Sequence, residues 1–426
     1  MYKRQSLYRF TTVYTRLLYL KIAIIIKFII NKKNGKSGGE GMANKGMTAK
    51  SVKQINKNKV YAEIYRGRSV SKLQIVQKLQ MGLSTVDQNL KALEEEGLIE
   101  KKGYFESTGG RKAQAIQICR TARLSIGLGI LKECIYIVAA DLYGTVLQSA
   151  VLTIPYRHAD TYYERLGREI DSFISAHGLD SSRILGVSVA VQGSISPDGQ
   201  AVSYGAIMHN EQMKLSDFQK HIPYACRLEH DSKAAAFLEL WRHPDIQSAS
   251  MFLLNHNMGG AVIINGLVHQ GLHMQSGNFE HLCIEKNGPL CYCGSRGCLE
   301  TYCSVNALEK AAGMALPLFF EEVRKKEAKY LKIWSEYLKY LAFAIRNVSA
   351  VVDGKIIISG YLAPFLMKED VAFLLQHINE SNAFPVSGEQ FLLGTQGAYT
   401  QATGAALYQV NTFLTSLDAS PLPCRE

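Results

Sequence analysis

The 426 residues suffice for two or three domains. Nine cysteines, an odd number in so long a chain, exclude a secreted disulfide framework and fit a reducing cytoplasm in which thiolates stay free for metal. The net charge of +11 is uneven: residues 1–48 carry +9, residues 49–120 carry +7 and the remainder carries −5, so a polyanionic partner is expected for the front alone.

Within residues 1–48 the stretch Leu17 to Ile30 is apolar, but Lys21 and Lys27 interrupt it, and it falls short of the ~20 residues a membrane helix needs. It is followed by Asn31-Lys-Lys-Asn-Gly-Lys36 rather than a small-residue cleavage site, which disfavours a secretory leader. The pattern suits an over-extended reading frame with Met42 or Met47 as the working start, and no membrane partner is expected.

From Ser51 the apolar spacing turns helical. Val52, Ile55, Val60, Ile64 and Tyr65 recur on one face, and Ser71-Lys-Leu-Gln74 is a capping box that opens a second helix with Leu73, Ile75, Val76 and Leu79 on its buried side. Met81-Gly-Leu83 predicts a turn. Ser84-Thr-Val-Asp87 predicts a capped third helix running to about Glu96, with Val86, Leu90 and Leu93 inward and Gly97 as its stop. Two short helices about a glycine-containing turn form a helix-turn-helix. Its second helix would enter a DNA major groove N-terminus first, presenting Ser84, Thr85, Gln88, Asn89 and Lys91 to phosphates and base edges. Leu98 to Ile118 then reads as strand, turn and strand, a wing in which Gly109 and Gly110 allow close backbone approach and Arg111 and Lys112 contact phosphate or a narrow minor groove.

Beyond residue 120 strands and helices alternate, the mark of a layered α/β architecture. Strands are predicted within Ser125–Thr153, at Ile184–Val191, from Ala225, and at Ser250–Leu254, Ala261–Ile264 and Lys355–Ile358. Helices are predicted at Tyr162–Ala176 and Ser232–Trp241, with one long helix from about Glu321 to Val351. Between them His281, Cys291, Cys293 and Cys298 offer one imidazole and three thiolates within eighteen residues, punctuated by Gly288, Pro289, Gly294 and Gly297, as a closed tetrahedral zinc site requires. Cys283 and Cys303 lie off that turn pattern and read as core or helix residues.

On the stretch Cys291-x-Cys-Gly-x-x-Gly-Cys298-Leu-Glu300 with His281 before it, and on the wing Thr108-Gly-Gly-Arg111, residues 50–410 resemble the ROK family of repressors, open reading frames and sugar kinases, and within it the repressors with an N-terminal winged helix. The resemblance implies a two-lobed actin-like, ribonuclease-H-like body with a ligand cleft, dimers or tetramers, and sugar-controlled gene expression. It divides the chain into an extension (1–48), a winged helix-turn-helix (49–120), the ROK body (121–410) and a tail (411–426). The kinase features of the family are lost here. Gly129-Ile-Leu-Lys-Glu133 replaces its first phosphate loop, Asn255-His-Asn-Met-Gly-Gly-Ala261 replaces its second, and Ser359-Gly360 replaces a glycine pair, leaving no carboxylate for magnesium and no cradle for phosphate. The sugar site implied by the resemblance comprises Gly193, His230, Asp231, Asn278, His281 and Glu300, with Glu280 displaced from the family's usual position. The expectation is a zinc-containing repressor of carbohydrate genes, not an enzyme, that answers to a sugar or sugar phosphate; the alternatives are a divergent ATP-dependent ROK sugar kinase and a DNA-binding dimer that has lost sugar control.

Overall fold

The computed structural model describes residues 49–106, 112–380 and 382–421, the side chains of residues 49, 50 and 396 excepted. The expected extension and start site, and Gly109, Gly110 and Arg111 of the wing, lie outside the described residues. The chain divides into two units, Met1–Lys53 and Gln54–Glu426, the first described only from Ala49.

Helix α1 (Ala49–Gly67) places Val60, Tyr61, Ile64 and Tyr65 in a core. Helix α2 (Lys72–Leu79) opens on the expected capping box: the Ser71 hydroxyl accepts the Gln74 amide while the Gln74 side chain accepts the Ser71 amide at 2.7 Å. Helix α3 (Leu83–Glu95) differs from expectation. It starts one residue early with Gly82 as N-cap and no side-chain cap bond, so Ser84 is the second helical residue and caps nothing. Strands β1 (Ile99–Tyr104) and β2 (Gln114–Ile118) pair antiparallel as the wing.

The body follows. Strands β3 (Leu124–Ile130), β4 (Ile135–Ala140) and β5 (Val146–Leu152) form a meander. Helix α4 (Asp160–Ala176) leads to β6 (Ile184–Val191), the hairpin β7 (Ser194–Ile195) and β8 (Val202–Tyr204), helix α5 (Leu215–Gln219), strand β9 (Cys226–His230) and helix α6 (Asp231–Arg242). A second set repeats the plan: β10 (Ser248–Leu253), β11 (Gly259–Ile264), β12 (Leu267–His269), helices α7 (Glu300–Cys303), α8 (Val305–Ala312), α9 (Leu316–Arg324) and α10 (Ala328–Ser349), β13 (Lys355–Gly360), α11 (Lys368–Asn379), β14 (Phe391–Gln396) and α12 (Thr400–Ser416). The sheets run β5-β4-β3-β6-β9 and β12-β11-β10-β13-β14, in each an antiparallel meander extended by two parallel strands. This repeated order is the two-lobed actin-like body. Among the described residues no helix is long and apolar enough to cross a membrane.

Two expectations are corrected. The single helix expected over 321–351 is two, because Lys326 takes φ 61° and Glu327 is extended. The run Arg324-Lys-Lys-Glu-Ala-Lys329 offers no large apolar side chain to continue the buried stripe, so a break there sacrifices little burial. It lets Phe320 of α9 meet Trp334 of α10 edge-on at 4.9 Å. The tail expected over 411–426 begins inside α12, whose Val410 and Leu414 share one apolar cluster with Tyr61, Ile64, Val86 and Leu93 of the helix-turn-helix; residues 422–426 lie outside the described residues. The winged helix is therefore packed on the body rather than tethered to it.

Helices α6 and α12 lie against each other through Ala234, Ala235, Ala405 and Leu407, in one cluster with Ala190 of the first sheet and Met251, Ile263 and Ile357 of the second. At Gly404 an added Cβ would stand 1.9 Å from the Ala234 carbonyl oxygen, backbone that cannot yield. Gly404→Ala is expected to destabilise the protein by about 3 kcal/mol, the upper end for overpacking. A urea titration should show the lower midpoint with an unchanged slope.

Candidate functional site

A cavity of about 400 Å³ sits at the C-terminal ends of the parallel strands β6 and β9, where open α/β sheets commonly bind ligands. Gly193, His230, Asp231, Asn278 and His281, five of the six expected ligand residues, line it. His230 ends β9 and caps α6: its Nδ1 accepts the Ser232 hydroxyl at 2.8 Å and the Ser232 amide at 3.3 Å. Burial pushes its pKa down to about 3, so the imidazole is neutral and its 3.2 Å approach to Asp231 is not an ion pair. Burial pushes Asp231 up to about 6, against the pull of the Ser232 amide.

Glu300 is the exception. It lies behind the wall, buried, with Oε1 accepting the Asn257 side-chain amide at 2.8 Å and Oε2 accepting the Met258 backbone amide at 2.9 Å. Each oxygen accepts a bond from the loop, so Glu300 holds Asn257, which does line the cavity, while Glu300 is not itself among the lining residues. Glu280, which the family pattern marks as displaced, instead faces the cavity. Its Oε2 and the Asn278 Oδ1 are buried without a protein partner among the described residues. Acceptors left unpaired in this way are a cost unless a ligand donor or a water satisfies them. Burial raises Glu280 to about 8.

Sequence reasoning missed Lys233. It is buried on α6, donating to the carbonyls of Ser276 and, at 3.5 Å, Gly260. Burial lowers it to about 8, while Glu280 and Asp231 pull it back upward. A lysine followed by Ala-Ala-Ala was the available signal, since a charge among alanines at a helix start has little solvent to reach. Tyr204, Gln275 and Tyr292 also line the cavity and carry no motif.

Beside the cavity the ligating atoms of His281, Cys291, Cys293 and Cys298 lie within 4.8 Å of one another. Cys293 Sγ is 3.7 Å from Cys298 Sγ, and His281 Nδ1 is 3.9 Å from Cys291 Sγ. A tetrahedral ion with metal–sulfur bonds of about 2.3 Å requires sulfurs about 3.8 Å apart, so the four groups can hold a metal ion. The backbone makes this convergence: the Cys291 amide donates to the Ser295 carbonyl at 2.8 Å and the Gly297 amide to the Pro289 carbonyl at 2.9 Å. Gly297, at φ 70°, has the Glu285 carbonyl where a Cβ would stand, so no other residue fits. Burial lifts the Cys298 thiol up to about 12 and also raises Cys291, shifts that a bound dication would reverse. Cys303 is buried in α7 as expected; Cys283 is exposed rather than core, and neither joins the cluster.

On α3, Ser84, Gln88 and Lys91 are exposed and Thr85 is half-buried. Asn89 is not outward: it is 3% exposed and donates to the Thr85 carbonyl at 2.8 Å, which removes it from any contact surface of this chain. The first turn of α3 carries no acid, whereas Glu94, Glu95 and Glu96 gather at the other end, so the positive end of the helix dipole stays free for phosphate. Lys112 is exposed at the edge of the wing; Arg111 lies outside the described residues.

Residues 124–378 match the model of the ROK family. The DNA-binding transcriptional dual regulator NagC of Escherichia coli K12 is 27% identical over 262 residues, 61% of this chain and 64% of that protein, so the match spans less than two thirds of the relative. The xylose repressor of Bacillus subtilis is 26% identical over 270 residues, 61% of this chain and 68% of that one. A crystal structure of a ROK family transcriptional regulator, a homologue of the E. coli MLC protein, shares the fold with a TM-score of 0.69 at 20% identity, covering 86% of this chain and 98% of its own. With its two repeated five-stranded sheets and a family match across more than half its length, the chain belongs to the ROK family.

Proposed function

We propose that this protein is a cytoplasmic transcriptional regulator, a repressor of carbohydrate uptake or catabolism genes, that binds duplex DNA through its winged helix as a homodimer or homotetramer and releases or retains it according to a sugar in the cleft. One observation carries the reading: a helix-turn-helix with polar and basic residues on its outer face shares a hydrophobic core with the last helix of a ROK body. Similarity to NagC and to xylose repressors supports it.

In this reading Ser84, Thr85, Gln88 and Lys91 of α3 meet the major groove, and Lys112 with Arg111 of the wing meets the backbone. The cleft binds hydroxyl groups through Asp231, Asn278 and Glu280, with Gly193 giving close backbone approach and the Nε2 edge of His230 turned to the ligand. His281, Cys291, Cys293 and Cys298 hold zinc, which would pin the loop bearing Tyr292 and Ser295 against the cavity. Sensing rather than phosphoryl transfer follows from the β3–β4 turn, Leu131-Lys-Glu-Cys134, which has no glycine to admit a phosphate.

The test is binding of duplexes selected from the host genome, followed by fluorescence anisotropy across a salt series. Gln88→Ala should cost about 1–3 kcal/mol at one base position, and Lys91→Ala should lower the salt slope by about 1. Affinity that is indifferent to salt, or sugar-dependent release of ADP from ATP, would overturn the proposal.

A further inference from the structure

Next to the cavity described above lies a second of about 600 Å³. The two share Gln192, Ile207 and Asn257 as common wall, so they are chambers of one cleft. The second chamber is almost uncharged and mixes apolar wall with polar side chains. Among the described residues its ionic side chains are Lys132 and Glu133, adjacent and exposed at the rim, with no arginine. Gln192, Asn306 and Gln401 line it with side-chain amides that have no hydrogen-bond partner among the described residues, and Gln401 is 8% exposed. These side-chain amides are therefore free to donate to and accept from a ligand. Aromatic faces complete the wall: His256 stacks on Tyr361 with centroids 5.1 Å apart, and Tyr136 stands edge-on to Tyr399 at 5.3 Å.

We infer that this second chamber takes a second neutral sugar ring, so that the effector is a glycoside of at least two rings whose linkage crosses Gln192 and Asn257. The inference deepens the effector reading above and rests on it. Amides that both donate and accept suit hydroxyl groups, and aromatic faces suit the C–H faces of a pyranose. A phosphorylated effector lacks its complement, because the chamber offers neither an arginine fork nor a glycine-rich loop of amides for a dianion.

The experiment is isothermal titration of the full-length, metal-loaded protein. The probes are cellobiose, maltose, xylobiose and diacetylchitobiose, the monosaccharide of each, and the 6-phosphates of glucose and N-acetylglucosamine. At least one disaccharide should bind about tenfold or more tightly than its monosaccharide. Gln401→Met should weaken that disaccharide about fivefold while leaving the monosaccharide unchanged. Asn306→Leu, at an exposed position where folding is not at stake, should do the same. A monosaccharide or a 6-phosphate that binds as tightly as the best disaccharide, or a disaccharide indifferent to both substitutions, overturns the second chamber and leaves the effector reading standing. Failure of every sugar to bind overturns both.

Discussion

Cys298→Ser is expected to strip the protein of metal and to remove its response to effector in the same step. The thiol is buried at 1% exposure, and the loop it anchors also carries Tyr292, Cys293 and Ser295, all of which wall the cavity. Loss of an outer partner at a metal site typically costs 10–100-fold in affinity, so loss of a direct ligand should cost at least about 100-fold. Because a metal would tie the Cys291–Cys298 loop to His281, that binding energy is also folding energy for this segment. Metal content by mass spectrometry should fall from about one equivalent to a small fraction, with a lower melting temperature. Cys291→Ser and Cys293→Ser should behave alike. Cys283→Ser, exposed and off the cluster, should retain its metal. Full metal content and normal effector response in Cys298→Ser would refute the assignment.

Trp241→Phe is expected to leave effector binding intact yet weaken its effect on DNA. Helix α6 begins at Asp231 in the cavity wall and ends beside the winged helix, about 18 Å away at 1.5 Å per residue. Near that far end the Trp241 indole N–H donates to the Tyr143 carbonyl at 3.0 Å. Tyr143 in turn lies 5.0 Å from the ring of Tyr65 and under the guanidinium of Arg68 at 3.7 Å, and the Tyr65 hydroxyl donates to the Leu142 carbonyl at 3.0 Å. Tyr65 belongs to α1, and Arg68 follows directly after its last residue. On the proposed function, a ligand that shifts the first turn of α6 would shift the ledge on which the helix-turn-helix rests.

Coupling between two sites is typically worth 1–3 kcal/mol, and a ligand moves an equilibrium only by its differential affinity for the two states. Phenylalanine keeps an aromatic ring at this position, with less packing, and removes the indole hydrogen bond. The ratio of operator affinities without and with effector should fall about fivefold, toward unity, while the effector dissociation constant stays within about twofold. Anisotropy on the operator and calorimetry on the effector separate the two quantities. An undiminished ratio would place the coupling elsewhere.

Much of the molecule was legible in its residues. The Ser71–Gln74 box, the hairpin after Gly97, most strands of the two sheets (β12 and β14 went unmarked) and the converging His281, Cys291, Cys293 and Cys298 show in patterns among near neighbours in the chain. A cap, a hairpin or a knuckle of close-set cysteines is specified by a handful of adjacent side chains, and such patterns survive in any surroundings that allow them.

What the chain alone left undecided depends on partners far away in sequence. Asn89 has the chemistry of a base-reading residue, yet only the packing of α3 turns it inward. Glu300 matches the family pattern, but the loop at 257–258 takes both of its oxygens, while Glu280, off-pattern, reaches the cavity. The end of α12 looked like a tail because its apolar residues are buried by α1, some 350 residues earlier in the chain. Periodicity reports which face of an element is apolar and not which neighbour covers it. The reach from cavity to winged helix, and the two-chambered cleft, therefore belong to the tertiary structure, because each is made of surfaces far apart in the chain that only packing brings together.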